Sequence, residues 1–188
     1  MKMAVIVVTG TPGAGKTTVL NQALQSIKNF EVVNFGDEMF EHAKRMEIVD
    51  DRDDLRKQSP DIQREIQRIA AKNVSEKAKN SSIIVDTHCT IKTPKGYLPG
   101  LPFWVLEELM PKSIVLVEAE AEDIVSRRRN DEERIRDEEM TQAIEEHQRV
   151  NRAAAMAYAR VCGATVKMIR NRENKLDEAV VEMIEALE

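Results

Sequence analysis

The sequence predicts an α/β protein in which a five-stranded parallel sheet carries helices on both faces. Three features predict it: short apolar runs rich in Val and Ile, helical patterns between those runs, and a glycine-rich turn directly after the first run. Nearly continuous apolar runs are typical of parallel strands covered on both sides, and strand–helix alternation indicates right-handed crossovers. The predicted strands are residues 4–9, 31–34, 83–86, 114–118 and 164–169.

Helical patterns fill the intervals between the strands. In the segment 60–79, Ile62 and Ile66 recur at helical spacing. Ser59 followed by Pro60 is a good N-cap and first-turn pair for that helix. The predicted helices are residues 16–28, 36–46, 60–79, 102–110, 121–129, 138–161 and 175–187.

The chain is expected to form a single domain with two charged inserts. Its 188 residues fit one domain, and no repeat or linker divides them. Two intervals are too long and too charged for plain crossovers: residues 36–81, between the second and third strands, and residues 127–137, after the fourth strand. The second interval contains five arginines. That number weakens the simpler interpretation, in which mixed charges only form a solvated helix face.

Composition and charge exclude several classes of protein. With 42% hydrophobic and 32% charged residues, the chain can build a core and is not disordered. A net charge of -5 and 4% aromatic residues argue against nucleic-acid binding. Cys89 and Cys162 are too few for a disulfide framework or a four-cysteine zinc site, so we expect reduced thiols in a cytoplasmic protein. The longest apolar run, residues 3–8, is too short to cross a membrane.

The most specific motif follows the first strand and matches Gly-x-x-x-x-Gly-Lys-Thr, the pattern of a phosphate-binding loop (P-loop). Its glycines let successive backbone N–H groups turn inward into an anion cradle, and the helix after it adds its positive N-terminal end. Lys16 is expected to reach the β and γ phosphates, and the Thr17 hydroxyl to ligate magnesium. The predicted ATP-binding residues are Gly10, Thr11, Pro12, Gly13, Ala14, Gly15, Lys16, Thr17 and Thr18.

A carboxylate at the end of a neighbouring strand is expected to complete the Mg2+ site. Asp86 ends the third predicted strand and is the preferred residue, acting through water. Its simpler interpretation is a cap or turn residue. Glu118, at the end of the fourth strand, is the weaker candidate. His88 lies close by, and a structural hydrogen bond is a better interpretation of it than a catalytic base.

Two other classes of P-loop protein fit the sequence less well. Residues 174–177 spell Asn-Lys-x-Asp, the guanine-reading pattern of GTP switches, but no Asp-x-x-Gly follows the third strand. The segment is better interpreted as the start of a helix. An ATP-driven motor is disfavoured because the sequence shows no second domain to move. A small phosphotransferase remains, in which the first insert binds the acceptor and the second brings arginines over the donor phosphates.

The chain resembles the archaeal type of adenylate kinase over essentially its whole length. The resemblance rests on the P-loop and on residues 33–37 (Val-Asn-Phe-Gly-Asp), 51–57 (Asp-Arg-Asp-Asp-Leu-Arg-Lys), 86–102 and 146–158. It implies the P-loop NTPase fold with strand order 2-3-1-4-5, an AMP-binding insert at about 36–81 and a short lid at about 127–137. It also implies reversible transfer from Mg-ATP to AMP, a cytoplasmic location and a homotrimer.

The same resemblance implies the remaining site residues, although the AMP segments depart from the bacterial pattern. Phe40 stands where bacterial enzymes carry an AMP-phosphate arginine, and Lys92 is the nearest cation after the third strand. Arg52 is a third candidate cation, with a surface ion pair as its equally weighted alternative. The implied AMP-binding residues are Phe35, Gly36, Asp37, Arg56 and Lys92.

The catalytic group is expected to combine the P-loop lysine with arginines from the lid and from the long helix. Its members are Lys16, Arg127, Arg134, Arg136 and Arg152. The lid has no cysteine quartet, so no zinc is expected there. The adenine of ATP is expected to lie against the lid and the loop 171–174.

Two alternatives to an adenylate kinase stay open. One is another nucleoside monophosphate kinase, because a few unplaced polar contacts decide which base is accepted. The other is a non-catalytic nucleotide-binding regulator, or an RNA-associated factor that uses residues 92–95. The acidic pI of about 5.4 and the few aromatic residues argue against RNA. The alanines of the helix 138–161 favour packing on the sheet over a subunit interface.

Overall fold

The computed structural model describes residues 3–129 and 141–188, apart from the side chains of Asp53, Arg56, Arg128 and Arg129. The strands are β1 (Val5–Gly10), β2 (Phe30–Asn34), β3 (Ser82–Asp86), β4 (Thr90–Thr93), β5 (Gly96–Pro99), β6 (Ser113–Glu118) and β7 (Thr165–Arg170). Five of them form one parallel sheet in the order β2-β3-β1-β6-β7, which confirms the predicted architecture. Counted over the sheet strands alone, this order is 2-3-1-4-5.

The antiparallel hairpin β4–β5 was not predicted from the sequence. It pairs Thr90 with Pro99 and Lys92 with Tyr97, and it lies outside the main sheet. The hairpin follows β3 directly, so it stands at the same edge of the sheet as the P-loop.

The helices are α1 (Lys16–Ala23), α2 (Phe35–Arg45), α3 (Arg52–Lys57), α4 (Pro60–Lys77), α5 (Phe103–Leu109), α6 (Ala121–Arg129), α7 (Thr141–Cys162) and α8 (Leu176–Leu187). The short helix α3 was not predicted; Asp51 caps it by accepting a hydrogen bond from the Asp54 N–H at 2.8 Å. Helix α1 ends at Ala23 rather than at residue 28. The hydrogen bonds after it become three-residue turns, from Gln25 N to Gln22 O and from Ser26 N to Ala23 O.

The sheet is buried on both faces because side chains alternate along each strand. One face packs against α4, α5 and α7 and includes Val7, Val85 and Leu116. The opposite face packs against α1 and α8 and includes Val8 and Ile169. Each such side chain contributes about 1.5–3 kcal/mol by leaving water. Among the described residues, none of the helices is long and apolar enough to cross a membrane.

Parallel strands bring their carboxyl ends to one edge, where open α/β sheets bind ligands. The register places Asp86 beside Val8 on one side and beside Asn34 on the other. On the other side of β1, Gly10 lies beside Val117, one residue before Glu118. The ends of β1, β3 and β6 therefore place the P-loop, Asp86 and Glu118 at one edge.

Candidate active site

The P-loop crosses closely over β6, and this approach explains two of its glycines. A Cβ added to Gly10 would lie 2.5 Å from the backbone oxygen of Val117, so no larger residue fits there. Gly15 has a φ of +84° and caps α1, and its added Cβ would lie 2.2 Å from Asn171 Nδ2. The left-handed backbone and the lack of space both require glycine at this position. Helix α1 then starts at Lys16, with its N–H groups directed towards the loop.

Asn171 holds the P-loop from the end of β7. Its Nδ2 donates to the backbone oxygen of Ala14 at 2.9 Å, and its backbone N–H donates to the backbone oxygen of Glu118 at 2.8 Å. Asn171 is 5% exposed and Ala14 is fully buried, so water cannot replace the bond between them. The sequence suggested only that the loop 171–174 lies near adenine. It held no signal that this side chain supports the P-loop.

Arg127, the first residue of the predicted lid, lies beside the same part of the P-loop. Its guanidinium donates to the Gly13 oxygen at 3.4 Å and to the Asn171 oxygen at 3.5 Å. These contacts place it beside the P-loop, and its role at the donor phosphates stays a prediction. Arg134 and Arg136 lie outside the described residues, together with most of the predicted lid.

Lys16 and Asp86 form an ion pair at the centre of the site. The Lys16 ammonium donates to Asp86 Oδ1 and, at 3.2 Å, to the backbone oxygen of Thr87. Each of the two charged side chains is 16% exposed, so both face the opening above the loop. Thr17 and Thr18, in the first turn of α1, are exposed. The structure therefore brings together the lysine, the carboxylate and the hydroxyl that the sequence selected.

Glu118 is engaged with Arg152 from α7. The Arg152 guanidinium donates two hydrogen bonds of 2.7 Å to the two carboxylate oxygens, and the Glu118 side chain is only 5% exposed. Glu118 holds the pKa of Arg152 above its ordinary value, because its oxygens accept these bonds. This bidentate pair occupies the carboxylate that was the weaker magnesium candidate. The pair also holds the Arg152 guanidinium at the end of β6, bound to a carboxylate of the same chain.

The start of α2 carries the predicted AMP segment. The Asn34 side chain caps the helix by accepting from the Asp37 N–H at 3.1 Å. Phe35 is 3% exposed and packs in the core, so its side chain cannot reach a ligand and only its backbone is available. Gly36 and Asp37 are exposed. Phe35 therefore stays a predicted AMP-binding residue through its backbone, because its side chain fills the core.

The candidate cations for the AMP phosphate lie on helix α3 and on strand β4. Arg52 forms an ion pair with Asp37, and both side chains are more than half exposed. Its guanidinium also lies 5.8 Å from the centre of the Phe40 ring. Lys92 is exposed on β4. Arg56 belongs to α3, but its side chain is outside the described part of the structure.

A buried polar network that the sequence did not indicate lies behind the P-loop. Asn151 of α7, which is 1% exposed, donates to the Thr11 hydroxyl at 3.1 Å and accepts from the Thr90 hydroxyl at 2.6 Å. His147 contacts Thr90 as well, at 3.1 Å. Only the sequence Glu-His-Gln-Arg-Val-Asn within the resemblance at residues 146–158 could have drawn attention to these residues.

Within residues 3–129 and 141–188, no three His, Cys, Asp or Glu side chains gather into a group that could hold a metal ion. Thr17 and Asp86, the two predicted magnesium residues, each carry an oxygen at this edge of the sheet. This small donor set matches Mg2+, which usually binds through one or two protein oxygens together with phosphates and water.

The glycine-rich anion cradle, the lysine of α1 and the five-stranded parallel sheet define a P-loop kinase. A family model described as an AAA domain matches residues 9–145. Among solved structures, the chain is similar to shikimate kinase from Acinetobacter baumannii in complex with shikimate. That similarity has a TM-score of 0.60 at 15% identity, and it covers 97% of this chain and 92% of the other. At this identity it establishes the fold alone.

Curated relatives define the family. The chain is 56% identical to the adenylate kinase of Methanocaldococcus jannaschii, over 100% of both chains. It is 55% identical to the adenylate kinase of Methanopyrus kandleri, over 97% of each. The chain therefore belongs to the adenylate kinase family.

Proposed function

We propose that the chain catalyses reversible phosphoryl transfer from Mg-ATP to AMP, which gives two molecules of ADP. The observation that carries this proposal is the full-length similarity, above one half identity, to archaeal adenylate kinases. The P-loop site supports it, because a lysine paired with a strand-end carboxylate and, next to that lysine in the chain, an exposed threonine are the groups that Mg-ATP binding uses.

The acceptor requires no general base. The second pKa of a phosphate monoester is about 6, so the AMP phosphate is already a dianion at neutral pH. One of its oxygens attacks the γ phosphorus of ATP, while the bond from that phosphorus to the β–γ bridging oxygen breaks. The electron pair stays on the β phosphate, and two ADP molecules result. Catalysis then depends on alignment and on charge neutralisation rather than on proton transfer.

Lys16 supplies mobile positive charge for this transfer. Its ammonium pairs with Asp86 beside the loop, so when it exchanges that carboxylate for the β and γ phosphate oxygens the ammonium stays paired with an anion. Asp86 would then have lost its ion-pair partner, and its carboxylate would be available to hold magnesium through water. The Arg127 guanidinium at the Gly13 oxygen adds a second cation near the donor phosphates.

The donor set fits magnesium. Thr17 would hold the ion through its hydroxyl, and Asp86 would hold it through water. Bound in this way with ATP, Mg2+ would neutralise part of the charge on the β and γ oxygens.

Arg134 and Arg136 are proposed to come over the transferring group from the lid. They flank Ile135, so in a helix they would point to different faces, whereas in an extended or looped lid they alternate around it; we expect one to contact the transferring phosphoryl group and the other to be largely structural. Replacing the contacting arginine by Lys should still lower the rate, because an ammonium cannot reproduce the planar fork of a guanidinium. If Arg134→Ala and Arg136→Ala together leave turnover intact, the lid proposal fails.

A coupled assay that offers each nucleoside monophosphate with Mg-ATP tests the proposed function. AMP should be used far better than GMP, CMP or UMP. Preference for a different monophosphate would make the chain another kinase of that class. Binding of ATP without transfer to any acceptor would favour a non-catalytic regulator instead.

We also propose that the protein is a cytoplasmic homotrimer, as the archaeal resemblance implies. The alanines of α7 divide between two faces: Ala155 and Ala159 pack in the core, whereas Ala153 and Ala157 are exposed. Met156, between them, is 62% exposed. An exposed face with a large apolar side chain among small ones is suited to close contact with another subunit. Light scattering tests the trimer, and cell fractionation tests the location.

A further inference from the structure

A continuous chain of buried side chains joins the P-loop to the β4–β5 hairpin. It runs from His147 to Thr90, on to Asn151, and ends at Thr11. The hydrogen bonds measure 3.1, 2.6 and 3.1 Å in that order. All four residues are between 1% and 6% exposed. Buried polar groups of this kind are costly unless every bond is made.

The two bond lengths fit one orientation of the Asn151 amide. A separation of 2.6 Å suits an O–H···O bond, and 3.1 Å suits an N–H···O bond. The amide oxygen therefore accepts from the Thr90 hydroxyl, and the amide nitrogen donates to the Thr11 hydroxyl. Because Thr90 uses its own proton on Asn151, His147 must donate to Thr90 from Nε2.

Of these four residues, Asn151 is the one that contacts both the P-loop, at Thr11, and the β4–β5 hairpin, at Thr90. Thr11 stands within the P-loop, which holds the donor phosphates. Thr90 is the first residue of β4, and Lys92, the candidate acceptor cation, follows two residues later on the same strand. A second contact fixes the hairpin to the same helix: the Tyr97 ring lies 5.2 Å from the His147 ring.

We propose that Asn151 is a positioning residue, which sets the P-loop and the hairpin at the separation that in-line phosphoryl transfer needs. The proposal rests on the proposed transfer between two nucleotides. Asn151 acts through Thr11 and Thr90 and touches no substrate. Displacements of about 1 Å between reacting groups can cost about a hundredfold in rate, so an amide linking the two halves of the site can govern the rate without governing binding.

The first test separates turnover from binding. Asn151→Leu keeps about the size of the side chain, but it can neither accept from the Thr90 hydroxyl nor donate to the Thr11 hydroxyl. Asn151→Ala removes both bonds, and Thr90→Val removes the hydroxyl in a side chain of similar shape. We expect each to lower kcat about 10- to 100-fold, with KM for ATP and for AMP within a few-fold of the parent. The double variant Asn151→Ala/Thr90→Val should be no slower than the slower single variant.

Tyr158→Phe is the matched control. Tyr158 lies two turns further along α7 and donates to the Cys89 oxygen at 2.9 Å, next to the hairpin but not at the P-loop. That oxygen also accepts from the Gly100 N–H at 2.8 Å, so the control leaves it bonded. We expect parent-like kcat from Tyr158→Phe. A folded Asn151→Leu enzyme with kcat within about threefold of the parent, or KM for ATP rising as much as kcat falls, would overturn the proposal.

Hydrogen exchange gives a second test that does not depend on turnover or on the acceptor. A non-hydrolysable ATP analogue should slow exchange in both the P-loop and β4 of the parent protein. In Asn151→Leu the analogue should slow exchange in the P-loop alone. If the analogue leaves β4 unaffected in the parent, Asn151 does not couple the two halves. A parent that binds the analogue but transfers nothing to AMP refutes the proposed function separately, while the exchange comparison still decides the coupling.

Discussion

Replacing Asn171 by Ala should weaken ATP binding while leaving AMP binding intact. The side chain makes one bond that matters here, from Nδ2 to the Ala14 oxygen at 2.9 Å. Ala14 is fully buried and Asn171 is 5% exposed, so the change leaves a carbonyl without a partner in a place that water does not reach. The remaining Asn171 contacts use its backbone and survive the substitution.

The structure sets the size of this effect. A buried acceptor left unsatisfied costs about 1–3 kcal/mol. That cost falls on the P-loop conformation that binds phosphate, and the apparent dissociation constant rises as the population of that conformation falls. With about 1.4 kcal/mol per factor of ten, affinity for ATP should drop about 5- to 150-fold as an upper limit.

Titration calorimetry with ATP and steady-state kinetics measure the change. Asn73→Ala is the control. Asn73 of α4 donates from its side-chain amide to the Glu38 carboxylate of α2 at 3.2 Å, away from the P-loop. It should leave the affinity for ATP unchanged. An Asn171→Ala protein that is folded and keeps the parent's affinity for ATP would show that the P-loop holds its shape without this bond, which refutes the reasoning.

Four further outcomes are expected. Lys16→Ala should lower turnover at least about a hundredfold, because it removes the cation facing the transferred group; activity within a few-fold of the parent would contradict that role. Asp86→Ala should lower the rate and weaken its dependence on magnesium. An unchanged magnesium titration would favour Glu118 as the magnesium carboxylate, despite its pairing with Arg152. Arg56→Ala should raise KM for AMP and not that for ATP, since a charged hydrogen bond to phosphate contributes about 1.5–3 kcal/mol; equal weakening of both would point to a role in the fold. Burial raises the pKa of the Cys89 thiol from 9.0 to about 12. Between these values the folded protein keeps the thiol proton that the unfolded chain has lost, so the free energy of unfolding falls as pH rises. Iodoacetamide at pH 9 should therefore alkylate Cys89 only after unfolding, which mass spectrometry can verify.

The elements that were predicted correctly are those with strong local patterns. The five sheet strands are apolar runs, and residues 121–129 match helix α6 to the residue. The hairpin β4–β5 and helix α3 were missed for a physical reason. Two strands of four residues and a helix of six are too short to be stable alone. They form because Thr90 and Tyr97 pack against α7, and because Asp51 caps α3.

The sequence by itself determined the fold class, the P-loop and the family, because these depend on periodicity and on residues that are neighbours in the chain. Only the tertiary structure decided which side chains support that loop. Asn171 and Asn151 reach it from 157 and 140 residues away along the chain. An asparagine in the sequence does not show which distant residue it will bond, because that residue becomes its neighbour only when the sheet brings the ends of β1, β3, β6 and β7 to one edge. The same folding step paired Lys16 with Asp86 and Glu118 with Arg152, choices that residue type alone left open.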